Sequence, residues 1–319
     1  MNWWLVPLFA IPLALVIDLR WGEPAVRWHP VVWMGRYLDA LGPQMRTWPP
    51  LTAFVGGMLA WAMGACCVAA VGLAAEMLLQ AFVIWFDVGS PWGGVGQVAV
   101  LAVLLKPLLS WRMLRDEVAA VEQALTVSLP AGQAQLQRLV SRDVTALDEI
   151  TVRESAIETL AENLNDSVIA PVFWFAVGGL PAAALYRFAN TADAMWGYRG
   201  QYEWVGKWSA WADDVLSWVP ARITALLLVF VSGRRLAWST LRRQASQTPS
   251  PNGGWPMGAM ALLLDIQLRK PGVYVLHAQG ALAQPCHARQ AIDWAGRAVW
   301  AGACLGGLFS WACSQLGGV

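Results

Sequence analysis

Charge is scarce in this chain of 319 residues. Asp, Glu, Lys and Arg together make up 13% of it, against 57% hydrophobic residues and a mean hydropathy of +0.45. A water-soluble domain carries about twice that share of charge, so the composition excludes one and calls for an integral membrane protein. Lysine is nearly absent. Lys106, Lys207 and Lys270 stand outside any glycine-rich loop and no GxxxxGK[ST] motif occurs, which excludes a P-loop nucleotide site. Cys66, Cys67, Cys286, Cys304 and Cys313 form no CxxC pair, so neither a zinc site nor a disulfide framework is expected and they read as small packing residues. No Ser-His-Asp signature stands out. The net charge of +1 gives no basic surface for nucleic acid.

Tryptophan, by contrast, is abundant. Twenty-one indoles, among them Trp3-Trp4, Trp33, Trp48, Trp61, Trp85, Trp92, Trp111 and Trp174, fit an interfacial aromatic belt. Four apolar segments are expected to cross a bilayer: residues 3–19, 51 to about 73, 95–111 and 299–316. The start carries no basic n-region, since Asn2 is followed by Trp3 and Trp4, so the first segment reads as a retained anchor. Residues 223–233 are apolar but short and bounded by Arg222, Arg234 and Arg235, which predicts a buried or interfacial helix. A Trp-rich amphipathic helix over 205–219 is expected to lie on the membrane surface.

A fifth apolar run, 168–188, is interrupted by Gly178-Gly179-Leu180-Pro181. Each half is about ten residues, roughly 15 Å as helix and half a bilayer, so residues 168–196 are predicted to form a re-entrant helical hairpin, with a full crossing as the alternative. Basic residues decide between them under the positive-inside rule. A hairpin, together with a non-crossing 223–233, leaves every basic loop on one face, from Arg20, Arg27, Arg36 and Arg46 through Arg112, Arg115, Arg138, Arg142 and Arg153 to Arg289 and Arg297, with the loop 87–94, which has no Lys or Arg, opposite. A crossing would put Arg187, Arg199 and Lys207 outside. The fold class expected is all-α and polytopic: about four spans, the re-entrant hairpin and cytoplasmic amphipathic helices. Residues 1–319 form one membrane-embedded domain, with 112–166 a mainly soluble helical insertion built of two helices broken at Pro130 and a third capped by Asp148.

On that third helix Glu154, Glu158 and Glu162 recur every four residues, and Asp166 continues the row. Like charges so spaced repel by a few tenths of a kcal/mol per pair. The row is either a solvated face or a cation site, and an all-oxygen site shared with phosphate suits Mg2+. A second cluster runs Asp18-Leu19-Arg20-Trp21-Gly22-Glu23-Pro24, then His29-Pro30 and Gly35-Arg36. Asp18 and Arg36 could form a structural ion pair, and a lone histidine such as His29 is often a hydrogen-bonded packing residue.

These stretches resemble the CobD/CbiB family of membrane proteins, the adenosylcobinamide-phosphate synthases of cobalamin biosynthesis. The likeness runs in family order over roughly residues 18–276. It is carried by 18–36, by Ser141-Arg142-Asp143-Val144, and by Glu158-Thr159-Leu160-Ala161-Glu162-Asn163 with Ala170-Pro171-Val172-Phe173. Asn190-Thr191 with Asp193, Gly197-Tyr198, Asp213-Asp214, Pro220-Ala221-Arg222 and Ser250-Pro251-Asn252 with Gly254-Trp255-Pro256 complete it. The chain departs from the family pattern at Asn165-Asp166-Ser167, where a glycine is lost, at Ala194, where a serine is usual, and after Lys270, where the segment looks like a shorter variant.

The resemblance implies a ligase that joins aminopropanol phosphate, or aminopropanol, to a propionate carboxylate of adenosylcobyric acid and consumes ATP with Mg2+. It implies a bacterial inner-membrane protein with its active face in the cytoplasm, and other cobalamin-pathway proteins as partners besides the bilayer. Glu162, Asp166 and Asp193 would hold Mg2+. Arg36, Arg142, Arg187 and Arg222 suit phosphate or corrin carboxylates, whose geometry matches a guanidinium fork. Asn163, Asn190 and Asn252 would orient corrin amides, with Tyr198 beside them. His29, or else Asp213 or Asp214, could take the proton of the incoming amine. The rival from another class is a transporter of a corrinoid or other polar solute, which needs ionisable groups inside its spans. The expected spans have few: Asp18 and Lys106 lie near span ends and Glu76 beyond the second. A non-catalytic scaffold would leave the polar clusters unexplained.

Overall fold

A computed structural model describes residues 6–86, 93–198 and 200–316. Trp3, Trp4, Trp92, Arg199 and all but the last two residues of the 87–94 loop lie outside them. The described chain is a series of helices: α1 (Val6–Trp21), α2 (Pro30–Met45), α3 (Pro50–Phe86), α4 (Gly93–Leu105), α5 (Trp111–Leu125), α6 (Leu129–Leu136), α7 (Glu149–Leu164), α8 (Ala170–Trp196), α9 (Lys207–Ser232), α10 (Trp238–Ala245), α11 (Gly254–Leu264) and α12 (Pro285–Leu316). A short antiparallel hairpin, β1 (Leu268–Lys270) and β2 (Tyr274–Leu276), pairs Lys270 with Tyr274. Among the described residues this hairpin, with an isolated bridge between Ile266 and Ala281, departs from an all-α reading.

The helices make a polytopic membrane protein. Pro50–Val83, Glu149–Trp196 and Lys207–Ser232 are long and apolar enough to cross a bilayer, and a fourth span results if Gly94–Leu108 and Trp111–Leu125 count as one. The number of spans is as expected, and 51–73 and 95–111 fall within two of them, but the other two differ from expectation. The apolar stretch at 223–233 is no separate short helix: it continues the segment expected on the membrane surface, and together they form the 26 residues of α9. Asp213, Asp214 and Arg222 had hidden that continuity. The described parts of the terminal segments, 6–19 and 299–316, are helical, and neither is among the three long apolar runs of the described residues. Glu76 does not lie beyond the second span but inside it, in the only run of α3 that carries charge.

The chain divides into two compact units, one of Met1–Ser110, Ala170–Leu216 and Ala303–Val319, the other of Trp111–Ile169 and Ser217–Gly302. In the first, α3 and α8 pack closely because a side chain on Gly64 would collide with the Phe188 ring, and one on Gly72 would come within 2.8 Å of the Pro181 nitrogen. Leu38, Phe188, Trp196 and Val205 centre its core. Within α8, the helix breaks at Gly178 (φ −146°) and Gly179 (φ +66°), the glycine pair singled out in the sequence, and Pro181 opens the half that follows.

In the second unit α7 is the central helix, buried along most of its length. The Asp148 side chain accepts the Thr151 N–H and caps it as expected. The preceding pair is broken at residues 126–128 rather than at Pro130. Ser128 caps α6 and Pro130 sits in its first turn, where a missing N–H costs nothing. All five cysteines are free and exposed, so they do not fill the protein core as the sequence suggested.

Candidate functional site

The acidic row of α7 is not a solvated face. Glu154 and Glu158 are buried, and each meets a cation brought from far along the chain. Arg269 on β1 grips Glu154 with two hydrogen bonds of 2.6 and 3.0 Å. Glu158 accepts the Tyr274 hydroxyl at 2.8 Å and faces Arg142 at 3.6 Å. The Glu158 Oε2 has no hydrogen-bond partner among the described residues. Burial, with Glu158 beside it, raises the pKa of the Tyr274 hydroxyl.

Glu162 ends the row one turn later, ahead of the apolar stretch that begins at Val168. Its charged neighbours are the carboxylates of Asp166 and Glu158 and, of opposite sign, Lys270 and Arg142. Beyond it Asn165–Ile169 winds as a π-helix, a distortion common at functional sites. The widened turn lets Asn165 donate to Asp166 at 2.8 Å and accept from Thr224 of α9 at 3.0 Å. Asn163, by contrast, donates to the Thr159 carbonyl of its own helix.

The start of α11 closes on the same carboxylate. A side chain on Gly253 would come within 3.2 Å of the Glu162 Oε1. Next to Gly253, the Asn252 amide oxygen accepts from Arg222 at 2.6 Å. That guanidinium is sandwiched between Trp218 and Trp255, 4.5 and 4.6 Å from the ring centroids, and also reaches the Pro251 carbonyl. The second unit thus gathers Glu158, Glu162 and Asp166 with Arg142, Lys270, Arg222 and Asn252. Arg142 is further held by Ser155 at 2.8 Å. Tyr274, Lys270, Arg269 and Ser155 were missed from sequence. Residues after Lys270 read only as a shortened variant, and no local spacing links position 274 to 158.

Glu162 and Asp166 offer oxygen donors of the kind Mg2+ takes, while Asp193, the third expected ligand, belongs to the other unit. Among the described residues no group of three or more His, Cys, Asp or Glu could hold a metal alone, so Glu162 and Asp166 would share such an ion with substrate oxygens and water.

The first unit holds the remaining residues. On α8, Arg187 is buried and reaches Asn190 at 3.5 Å, which reaches Asp213 of α9 at 3.5 Å. Asp193 lies against Gly197, leaving no room there for a side chain. Asp214 is half-buried, while Tyr198 and Arg36 are exposed. The expected Asp18–Arg36 pair is not formed. Asp18 instead meets Lys106 at 3.3 Å, and Lys106 meets Glu23 at 2.9 Å. Glu23 also bonds His29 Nε2 at 2.9 Å, and His29 Nδ1 accepts the Val31 N–H as the cap of α2. Burial would raise the Glu23 pKa, but His29 and Lys106 outweigh it and hold it below its usual value. Both His29 nitrogens are engaged, which is the packing role rather than that of a proton acceptor.

Residues 11–298 match the family described as CobD/Cbib protein. The probable cobalamin biosynthesis protein CobD of Methanothermobacter thermautotrophicus is 38% identical over 270 residues, 83% of this chain and 84% of that protein. The cobalamin biosynthesis proteins CobD of Brucella suis biovar 1 and Stutzerimonas stutzeri are 36% and 37% identical, over 84% and 90% of this chain and 84% and 93% of their own lengths. No solved structure matches. The matched span takes in Glu158, Glu162, Asp166, Arg222 and Asn252, and on this evidence the chain belongs to the CobD/CbiB family.

Proposed function

We propose that this chain, a member of the CobD family of cobalamin biosynthesis, is an ATP-dependent ligase that joins the amine of aminopropanol phosphate to a propionate of adenosylcobyric acid. The observation that carries the reading is Glu162. Its carboxyl stands beside those of Asp166 and Glu158, in the unit that also supplies Arg142, Lys270 and the stacked Arg222.

A carboxylate does not condense with an amine at neutral pH unless it is activated. In the proposed reaction a propionate oxygen attacks the γ-phosphorus of ATP and ADP leaves, giving an acyl phosphate. The amine nitrogen then adds to the acyl carbon, phosphate departs with the C–O electron pair, and the nitrogen loses a proton. Both steps move negative charge among phosphoryl oxygens, which fixed cations stabilise. Arg142, Lys270 and Arg222 take that role here, the last because its guanidinium is already held flat between two indoles. Glu162 and Asp166 would hold a Mg2+ ion, which would supply positive charge to the nucleotide phosphates. Asn252 orients a corrin amide. His29 is not carried forward as the base, since Glu23 and the start of α2 occupy its ring. The cytoplasmic leaflet of a bacterial inner membrane is the proposed setting.

A transporter remains the second reading because one observation favours it: Glu76 sits inside α3 and bonds the backbone at the break in α8, the kind of discontinuous helix transporters use. The discriminating experiment incubates detergent-purified protein with adenosylcobyric acid, aminopropanol phosphate and Mg·ATP and seeks the amide by mass spectrometry. Product formation supports the ligase. Corrinoid uptake into proteoliposomes with no product overturns it in favour of transport.

A further inference from the structure

The first unit contains an apolar cavity of about 650 Å3, within the roughly 300–1,000 Å3 typical of ligand sites. It is not part of the acid site. Cys67 and Val71 of α3 form one wall, Ala184 and Phe188 of α8 another, and Trp28 and Trp33 stand at its edge. The lining is almost wholly apolar. Two of its few polar groups are already used: the Tyr37 hydroxyl donates to the Ala60 carbonyl at 2.8 Å, and the Trp33 indole N–H donates to the Arg27 carbonyl at 2.9 Å.

The edge has a different character. Trp28 is 65% and Trp33 48% exposed. The Arg27 guanidinium lies 5.8 Å from the Trp28 ring centroid, and Arg36 is exposed on α2 three positions after Trp33. Exposed indoles beside arginines mark the level of lipid headgroups, and α3, which lines the cavity, is a membrane-crossing helix. Val71 is itself 65% exposed, so the cavity opens along the lipid-facing side of α3. An occupant must therefore be apolar along its length and anionic at its end.

We propose that this cavity seats one acyl chain of an anionic phospholipid, with Arg27 and Arg36 receiving its phosphate. The site fixes a lipid against α2, α3 and α8 and is independent of the reaction assigned to the protein.

The test is native mass spectrometry of delipidated full-length protein titrated with phosphatidylglycerol or with phosphatidylcholine of the same chains. The expected result is a single preferred phosphatidylglycerol, bound at least about fivefold more tightly than phosphatidylcholine. Val71→Trp, which fills the opening from the lipid side, is expected to weaken that first lipid by about tenfold, or ~1.4 kcal/mol. Leu78→Trp, at another exposed position of α3 outside the cavity lining, leaves it unchanged and controls for folding. Arg27→Gln narrows the preference for the anionic lipid. Graded binding with no preferred first lipid, equal affinity for the two headgroups, or wild-type affinity in Val71→Trp would each overturn the proposal.

Discussion

The Glu76 carboxylate on α3 accepts the Leu180 N–H of α8 at 2.7 Å, on the C-terminal side of the break at Gly178 and Gly179. A helix starting at Leu180 exposes several unbonded N–H groups, and in an apolar setting each costs several kcal/mol. Glu76 satisfies one of them from a neighbouring span, and Pro181 removes another. Gly179 must remain glycine for two reasons: its φ is +66°, and a side chain there would collide with the Glu76 carboxylate.

Glu76→Leu is therefore expected to destabilise the protein by about 1–3 kcal/mol and to speed hydrogen exchange over residues 180–184. Glu76→Gln retains an acceptor oxygen and should restore most of the protection. Gly179→Ala should behave like Glu76→Leu. Exchange measured by mass spectrometry in detergent checks all three, and unchanged protection in Glu76→Leu would refute the capping role.

Arg222→Lys should lower kcat/KM for amide formation by at least about tenfold. The ammonium cannot stack between Trp218 and Trp255 as a planar guanidinium does, and the Asn252 bond at 2.6 Å loses its geometry. The accompanying stability loss should be about 1–2 kcal/mol, read as a lower melting temperature in detergent. A fully active Arg222→Lys protein would remove this residue from the site.

Tyr274→Phe deletes the hydroxyl that meets Glu158. Because Glu158 is buried, the loss of one partner should cost about 1–3 kcal/mol. Glu158→Gln in the same background should recover part of it, since a neutral amide is cheaper to bury. A melting-temperature cycle of the two single variants and the double variant measures the coupling, and strict additivity would show that the pair does not interact.

Asp148 supplies a pH dependence whose sign is fixed. Hydrogen bonds from Thr151 lower its pKa, so its contribution is present above the unfolded carboxylate value of about 3.9 and is lost as pH falls through the lower folded value. Asp148→Ala should cost about 1 kcal/mol at pH 7, and the gap to wild type should shrink below about pH 4. A gap that stays constant down to pH 3 would contradict the cap.

What could be read from sequence was local. The Asp148 cap, the glycine break at 178–179 and the four-residue acidic period each lie within one turn or one helix, where spacing alone fixes geometry. Distant partners left no such trace. Lys106 finds Asp18 across 88 positions, and Tyr274 finds Glu158 across 116. Charge also misled: Asp213, Asp214 and Arg222 split α9 on a hydropathy reading, whereas the folded helix absorbs them, Arg222 by stacking on two indoles. The acidic row was ambiguous for the same reason, because only Arg269 and Arg142, from elsewhere in the chain, explain how those carboxylates can be buried.

The account rests most on carboxylate activation by ATP, and an oxygen label tests it directly. Adenosylcobyric acid carrying 18O in its free propionate would be turned over with aminopropanol phosphate and Mg·ATP, and the released phosphate analysed by mass spectrometry. The account predicts one 18O transferred to phosphate for each amide formed, with both signals lost together in Glu162→Gln. Amide formed with unlabelled phosphate, or undiminished in Glu162→Gln, would contradict it.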